Sequence, residues 1–430
     1  MNKNKEVFII GFALFSMFFG AGNLILPPYL GKSAGDSWFL VTLGFFITAV
    51  IIPFLAILAH AKLQGTMYNF GEKVFPIFST VYCITVYLIC ITLATPRTAS
   101  VTHEMAITPY FEVDALITSF MYFSLVFIFT LNRSKVLEIL GKFLTPFIIF
   151  ILLAIIVIGI FNPPDAMLSN TFLAPFVSGV LEGYQTFDAI GAIVAGGVLV
   201  ISIKFEEGTS SKFKQNFITK AGIIAGIGLL IIYPGLIFNG ALFNATFKEG
   251  ATRAEMLSSL SMQTLGNIGA TLLSVLVALA CFTTAVGIVT GTADYFKNFF
   301  KNRSKAYLLT SLVACVLGII IGQFDVKYII NVAVPVLMFI YPITIMLIIL
   351  NVLPVKFASS ISFKAVILVT FIFSIPDFLQ FFIDVELLTS VKNLIPFANY
   401  NLGWVLPAIT VLILVNLIEH SQLIKKLIFK

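Results

Sequence analysis

Long apolar runs fill the chain, separated by short polar connections. A helix needs about 20 apolar residues to cross the hydrocarbon of a bilayer. Runs close to that length fall at 7–30, 38–60, 75–97, 115–131, 139–161, 177–203, 217–243, 268–295, 306–322, 328–352, 363–382 and 396–418. They predict an all-α, polytopic membrane protein with twelve transmembrane helices and no separate soluble domain. A membrane β-barrel would instead alternate polar and apolar residues over short segments. The first run follows Lys3 and Lys5 but is too long for a signal peptide and lacks a small-residue cleavage site.

Two runs are interrupted in ways a plain anchor does not need. The first contains FFGAGNLILPP, Phe18 to Pro28, with Gly20, Gly22, Asn23 and the pair Pro27–Pro28. The sixth contains LEGYQTFDAIGA, Leu181 to Ala192, with Glu182 and Asp188 among apolar residues. Glycines alone would fit close helix packing. A charged side chain at mid-bilayer costs at least ~2.5–3.5 kcal/mol on insertion scales and faces a cavity or a partner. The interruptions fall in spans one and six. Their starts are an odd number of spans apart, so a second set of five enters the membrane from the opposite side. Discontinuous helices at matching places in two inverted halves point to a transporter binding site. Broken ends expose N–H groups that suit anions and C=O groups that suit cations.

The eighth run adds LACFTTAVGIVTG, Leu279 to Gly291. Ala280, Thr283 and Thr284 stand at i, i+3 and i+4, so the Ala280 carbonyl lies beside both hydroxyls. Each threonine can simply back-bond to its own helix, as membrane Ser and Thr usually do. Facing the carbonyls of a broken first span, the same cluster makes an oxygen cage for a monovalent cation.

Composition agrees with a membrane protein and adds an orientation. The chain is 59% hydrophobic and 11% charged, against about 45–50% and 25% in soluble domains. Twelve spans put both termini on one side. That side collects 20 of the 26 Lys and Arg residues and the other side six, so the positive-inside rule makes the termini cytoplasmic. The four cysteines lie within apolar runs and read as buried hydrophobes, and the three histidines have no metal-site spacing. Arg97, near the end of span three, sits at the outer interface by the usual rule. If span three runs on past Pro96, Arg97 lines the outer vestibule as a gate or a lure for a carboxylate.

With these motifs in view, FFGAGNLILPP, TPRTA (Thr95 to Ala99) and GYQTFDAIGA (Gly183 to Ala192) resemble the branched-chain amino acid:cation symporters of the amino acid–polyamine–cation superfamily. The likeness covers essentially the whole chain. It implies a five-plus-five inverted repeat like that of the bacterial leucine transporter, whose first and sixth helices are likewise discontinuous. The first repeat would occupy 1–162, the second 163–355, and two added spans 356–430. By the resemblance, the unwound backbone at Gly20, Ala21 and Gly22 holds the substrate carboxylate, and Asn23 matches a position that can hold sodium beside it. A second sodium position matches the carbonyls of Ser16 and Phe19 with Ala280, Thr283 and Thr284. Phe187 matches an aromatic lid, and Ile190 a position in the side-chain pocket. Asp188 departs from the leucine transporter, which has a neutral hydroxyl residue there. A carboxylate could strengthen cation binding or take the substrate ammonium.

The implied function is sodium-driven uptake of leucine, isoleucine and valine across the cell membrane, with sodium as coupling ion and no cofactor. The rivals are proton coupling through Asp188 or Glu182, substrate exchange, and a polytopic membrane enzyme. The enzyme lacks support, because no HExxH motif, no Ser/His/Asp set and no lipid-phosphate motif is present. A channel lacks a filter repeat.

Overall fold

The structure, a computed structural model, describes residues 3–131, 136–164, 167–202, 210–383 and 385–428. Of the basic residues used to orient the chain, Arg133, Lys135, Lys204 and Lys430 lie outside these. The described residues form α-helices and short 3₁₀ and π segments, with no strand. The first half contains α1 (Lys3–Phe18), α2 (Ala21–Ala34), α3 (Trp38–Phe46), α4 (Ile52–Leu63), α5 (Tyr68–Gly71), α6 (Pro76–Ile89), α7 (Thr95–Thr102), α8 (Ala115–Leu131) and α9 (Val136–Phe161). The second contains α10 (Pro175–Tyr184), α11 (Asp188–Ser202), α12 (Ser211–Leu242), α13 (Arg253–Phe296), α14 (Arg303–Gly322) and α15 (Val326–Val352). The chain closes with α16 (Ser360–Leu379), α17 (Val385–Leu394) and α18 (Val405–Ile428).

Seven described helical stretches are long and apolar enough, by length and composition, to cross a membrane. Shorter apolar helices include Ala115–Leu131, Thr145–Phe161 and Val405–Ser421. This is a multi-pass membrane protein. Apolar side chains such as Phe150, Ile268 and Leu368 stay exposed around its perimeter, which suits hydrocarbon and not water.

Two wide π turns, Ile47–Ile51 and Cys90–Ala94, interrupt otherwise helical runs, and a third, His103–Ile107, ends one. The first two lie just before Pro53 and Pro96, whose rings cannot join a regular α ladder. Span three therefore continues through Pro96 and ends at Ile107, ten residues beyond the expected end. This corrects the interfacial position expected of Arg97, which lies inside the helix and is buried.

Span eight also begins earlier than its apolar run. A capping box of Thr252 and Glu255 starts α13 at Arg253. The helix then kinks at Gly266, whose φ of 69° is open to glycine and strained for other residues. Over its length α13 packs against α7, α8, α9, α14 and α2. In addition, α1 and α2 pack on α12, α10 on α3, and α11 on α4. Buried His60 joins the last pair, its Nε2 lying 2.8 Å from the Ile193 carbonyl.

Candidate functional site

The first helical break is narrower than the glycine pattern suggested. Only Phe19 and Gly20 leave the helix, and Ala21, Gly22 and Asn23 form the first turn of α2. Gly20 is extended, at φ −100° and ψ −169°. Its N–H, which an unbroken helix would give to the Ser16 carbonyl, goes instead to Phe18 at 2.9 Å. The Ser16 carbonyl is thereby released from its helical donor, while the first N–H groups of α2 have no intrahelical acceptor. Pro27 and Pro28 do not end α2, but they withhold the N–H groups that would serve the carbonyls of Asn23 and Leu24.

The second break is Gln185–Phe187, between α10 and α11. Phe187 has φ 62°, rare for a bulky residue. Thr186 stabilises the turn. Its hydroxyl donates to the Gly183 carbonyl at 2.9 Å and accepts the Asp188 N–H at 3.2 Å. Non-glycine strain of this kind persists where surrounding contacts impose it, often at functional sites.

Asn23 and Asp188 join the two breaks. The Asn23 Nδ2 donates to both Asp188 carboxylate oxygens, at 2.8 and 2.7 Å, and also contacts the Tyr233 hydroxyl. Tyr233, on α12, donates to Asp188 Oδ2 at 3.1 Å. All three residues are buried. The amide must turn its N–H side to the carboxylate, which only accepts. Its Oδ1 is then left buried with no hydrogen-bond donor. An unpartnered buried acceptor beside a buried carboxylate suits a bound cation or ammonium group.

Arg97 lies at the same junction. Its Nη1 donates to the Gln185 carbonyl at 2.7 Å, and the Phe187 ring covers the guanidinium at 4.9 Å. Gly22 permits this approach: a Cβ there would sit 2.5 Å from Arg97 Nη2 and 3.1 Å from the Gln185 carbonyl. Phe187, expected as a lid over substrate, thus shields Arg97 here. Ile190 is fully buried in the first turn of α11. Beside it, a Cβ on Gly191 would meet nothing within 4 Å.

The span-eight cluster faces the first break. A Cβ on Gly20 would lie 3.6 Å from Thr284 Oγ1. Thr283 and Thr284 each donate to the Ala280 carbonyl at 2.9 Å. The back-bonding geometry is therefore present. It consumes the hydroxyl hydrogens and leaves lone pairs on both oxygens. The Ala280 carbonyl is already accepting twice, so the hydroxyls are better placed to bind a cation than the carbonyl.

Glu182 is not a free acid. Arg253 holds it through Nη1 at 2.8 Å and Nη2 at 3.1 Å, and Nη1 also reaches Gln185 Oε1 at 3.1 Å. The Arg253 guanidinium stacks over Tyr29 at 4.1 Å. The pairing ties the end of α10 to the start of α13.

Tyr233, Gln185, Arg253 and Tyr29 escaped the sequence reading. Tyr233 had one local signal, a polar ring beside Pro234 in the middle of an apolar run. Arg253 had only the capping box that fixes its place at the start of α13.

A profile described as "Branched-chain amino acid transport protein" matches residues 3–422. The chain belongs to that family. It is a transporter and not an enzyme. Among the family's curated members, the branched-chain amino acid permease BraB of Bacillus subtilis is 34% identical over 94% of this chain and 93% of its own. The branched-chain amino acid transport system 2 carrier protein of Pseudomonas aeruginosa is 32% identical over 96% and 95%. The fold is shared with solved transporters far more distant in sequence. A Na+-coupled sialic acid symporter, substrate-bound and outward-open, matches with TM-score 0.61 and 13% identity over 96% of this chain and 90% of that one. MhsT in complex with L-phenylalanine matches with TM-score 0.57 and 16% identity over 95% and 98%.

Proposed function

We propose that this family member imports leucine, isoleucine and valine across the cell membrane by alternating access, driven by sodium. The observation that carries the reading is the Asn23–Asp188–Tyr233 network, which ties two broken helices together around buried, partly unsatisfied oxygens. In this reading the chain has twelve spans with cytoplasmic termini. Residues 1–162 and 163–355 form the inverted repeats, and 356–430 the last two spans. Gly20, Ala21 and Gly22 hold substrate with Asn23, Asp188, Phe187 and Ile190. The carbonyls of Ser16 and Phe19, with Ala280 and the hydroxyls of Thr283 and Thr284, hold sodium. Spans one, two, six and seven rock against three, four, eight and nine, and the Arg253–Glu182 pair closes the outer side. A membrane potential of 100 mV supplies roughly 2.3 kcal/mol per entering charge.

Proton coupling is the second reading, favoured by one observation: Asp188 is a buried carboxylate whose described partners, Asn23 and Tyr233, are neutral. Uptake of labelled leucine into proteoliposomes separates the two. Inward sodium gradients should raise the rate, and imposed proton gradients without sodium should not. Uptake of no branched-chain amino acid under either gradient would sink the transport reading.

Gly22→Ala tests the junction more finely. The added methyl must displace the Arg97 guanidinium or the span-six break. Overpacking of this kind costs ~1–3 kcal/mol, so apparent leucine affinity should fall about 10-fold in a protein that still folds. Unchanged affinity would place substrate away from Gly22.

A further inference from the structure

We propose that Arg97 binds the substrate carboxylate through the Nε–Nη2 edge of its guanidinium. This rests on the transport reading above and adds a residue to it.

Arg97 is 4% exposed. Arginine stays charged in proteins, so burial cannot be relieved by losing a proton. A buried charge demands a partner of opposite sign. Among the described residues Arg97 makes no ion pair. Asp188 is near enough to act on it electrostatically, but its carboxylate is held by Asn23 and Tyr233. Arg253 adds a like charge nearby. Only Nη1 is committed, to the Gln185 carbonyl. Nε is buried with no hydrogen-bond partner. Nη2 lies against Gly22, where the first turn of α2 presents N–H groups that no helical carbonyl accepts.

An Nε–Nη2 edge is a two-pronged donor matched to a carboxylate. The helix terminus adds partial positive charge at the same point. The bond to Gln185 and the Phe187 ring fix the guanidinium plane from its other sides. The broken backbone of span one alone would offer the carboxylate only dipoles. With Arg97 it offers a full charge. Asn23 and Asp188, across the same junction, keep their acceptors for a cation or an ammonium.

The test compares leucine with leucinol, which keeps the ammonium and side chain but replaces the carboxylate with a hydroxymethyl group. Each is measured by its protection of the full-length purified protein against thermal unfolding, across ligand concentrations. Wild type should prefer leucine by about 100-fold or more, as sites built around a polar group reject analogues lacking it. In Arg97→Gln the preference should shrink to within about threefold, mainly through weaker leucine binding. Arg97→Lys keeps charge without the fork and should lose about 10-fold of the preference. It also supplies the reading if Arg97→Gln does not fold. A leucine-to-leucinol ratio unchanged in the folded variants would overturn the proposal and leave Arg97 a scaffold for the span-six break. So would folded variants that respond to neither ligand, or a wild type that does not distinguish them. Failure of wild type to bind leucine at all would instead be a failure of the transport reading.

Discussion

Replacing Asp188 with Asn is expected to cut sodium-driven leucine uptake by about 10- to 100-fold, because a hydrogen bond to a charged group contributes ~1.5–3 kcal/mol and each 1.4 kcal/mol is a factor of ten. The variant keeps the shape of the side chain and loses its charge. Asn23 then faces an amide in place of a carboxylate, and one of its two contacts to Asp188 becomes donor against donor in any orientation. The informative measurement is labelled uptake across a matrix of sodium concentration and pH, in wild type and variant. If Asp188 serves the cation, residual uptake by the variant should depend less steeply on sodium and show little response to pH. If it carries a proton, wild-type uptake should follow the proton gradient and the variant should lose that dependence. The sodium result is expected, since the Thr283–Thr284 hydroxyls facing Gly20 argue separately for a cation. Full wild-type uptake on a proton gradient alone would replace sodium with protons. Uptake unaltered by Asp188→Asn in every condition would make the residue structural.

Asp188 also marks how far the sequence could be read. Its position in an apolar run made it expensive, and expense in a membrane implies a function. The helix breaks were visible for a similar local reason, since glycines and polar residues stood where a continuous helix had no use for them. The extent of each break was harder to see. At the first, only Phe19 and Gly20 leave the helix, and Ala21 to Asn23 return to it. Arg97 was misplaced because hydropathy marks where an apolar run stops, whereas the helix continues through a wide turn and Pro96 to Ile107. Its polar successors, Thr98, Ser100 and Thr102, are buried inside the protein and never meet lipid. The partnerships of Tyr233 with Asp188 and of Arg253 with Glu182 span 45 and 71 positions. Packing creates them, and no local pattern announces which side chains will meet. Pairings of this kind shape the junction: they give Glu182 a cationic partner and leave Asp188 among neutral donors.

Thr284→Val is expected to raise the sodium concentration for half-maximal uptake about 10-fold and to weaken leucine binding at low sodium by a similar factor, because coupled sites share one interaction free energy of ~1–3 kcal/mol. Thr283→Val should act in the same direction. Valine keeps the branched shape of threonine and deletes the oxygen. The lost bond to the Ala280 carbonyl is a neutral contact worth about 1 kcal/mol, so the helix should survive. Reciprocity makes the test discriminating. A variant damaged only in its packing would bind leucine poorly at every sodium concentration. A variant missing a sodium ligand should recover wild-type leucine affinity once sodium saturates. Thr284→Ser, which restores the oxygen without the methyl, should return the sodium dependence toward wild type. If Thr284→Val transports with unchanged sodium dependence, the hydroxyl serves only its own helix, and the coupling cation must be sought nearer Asn23 and Asp188.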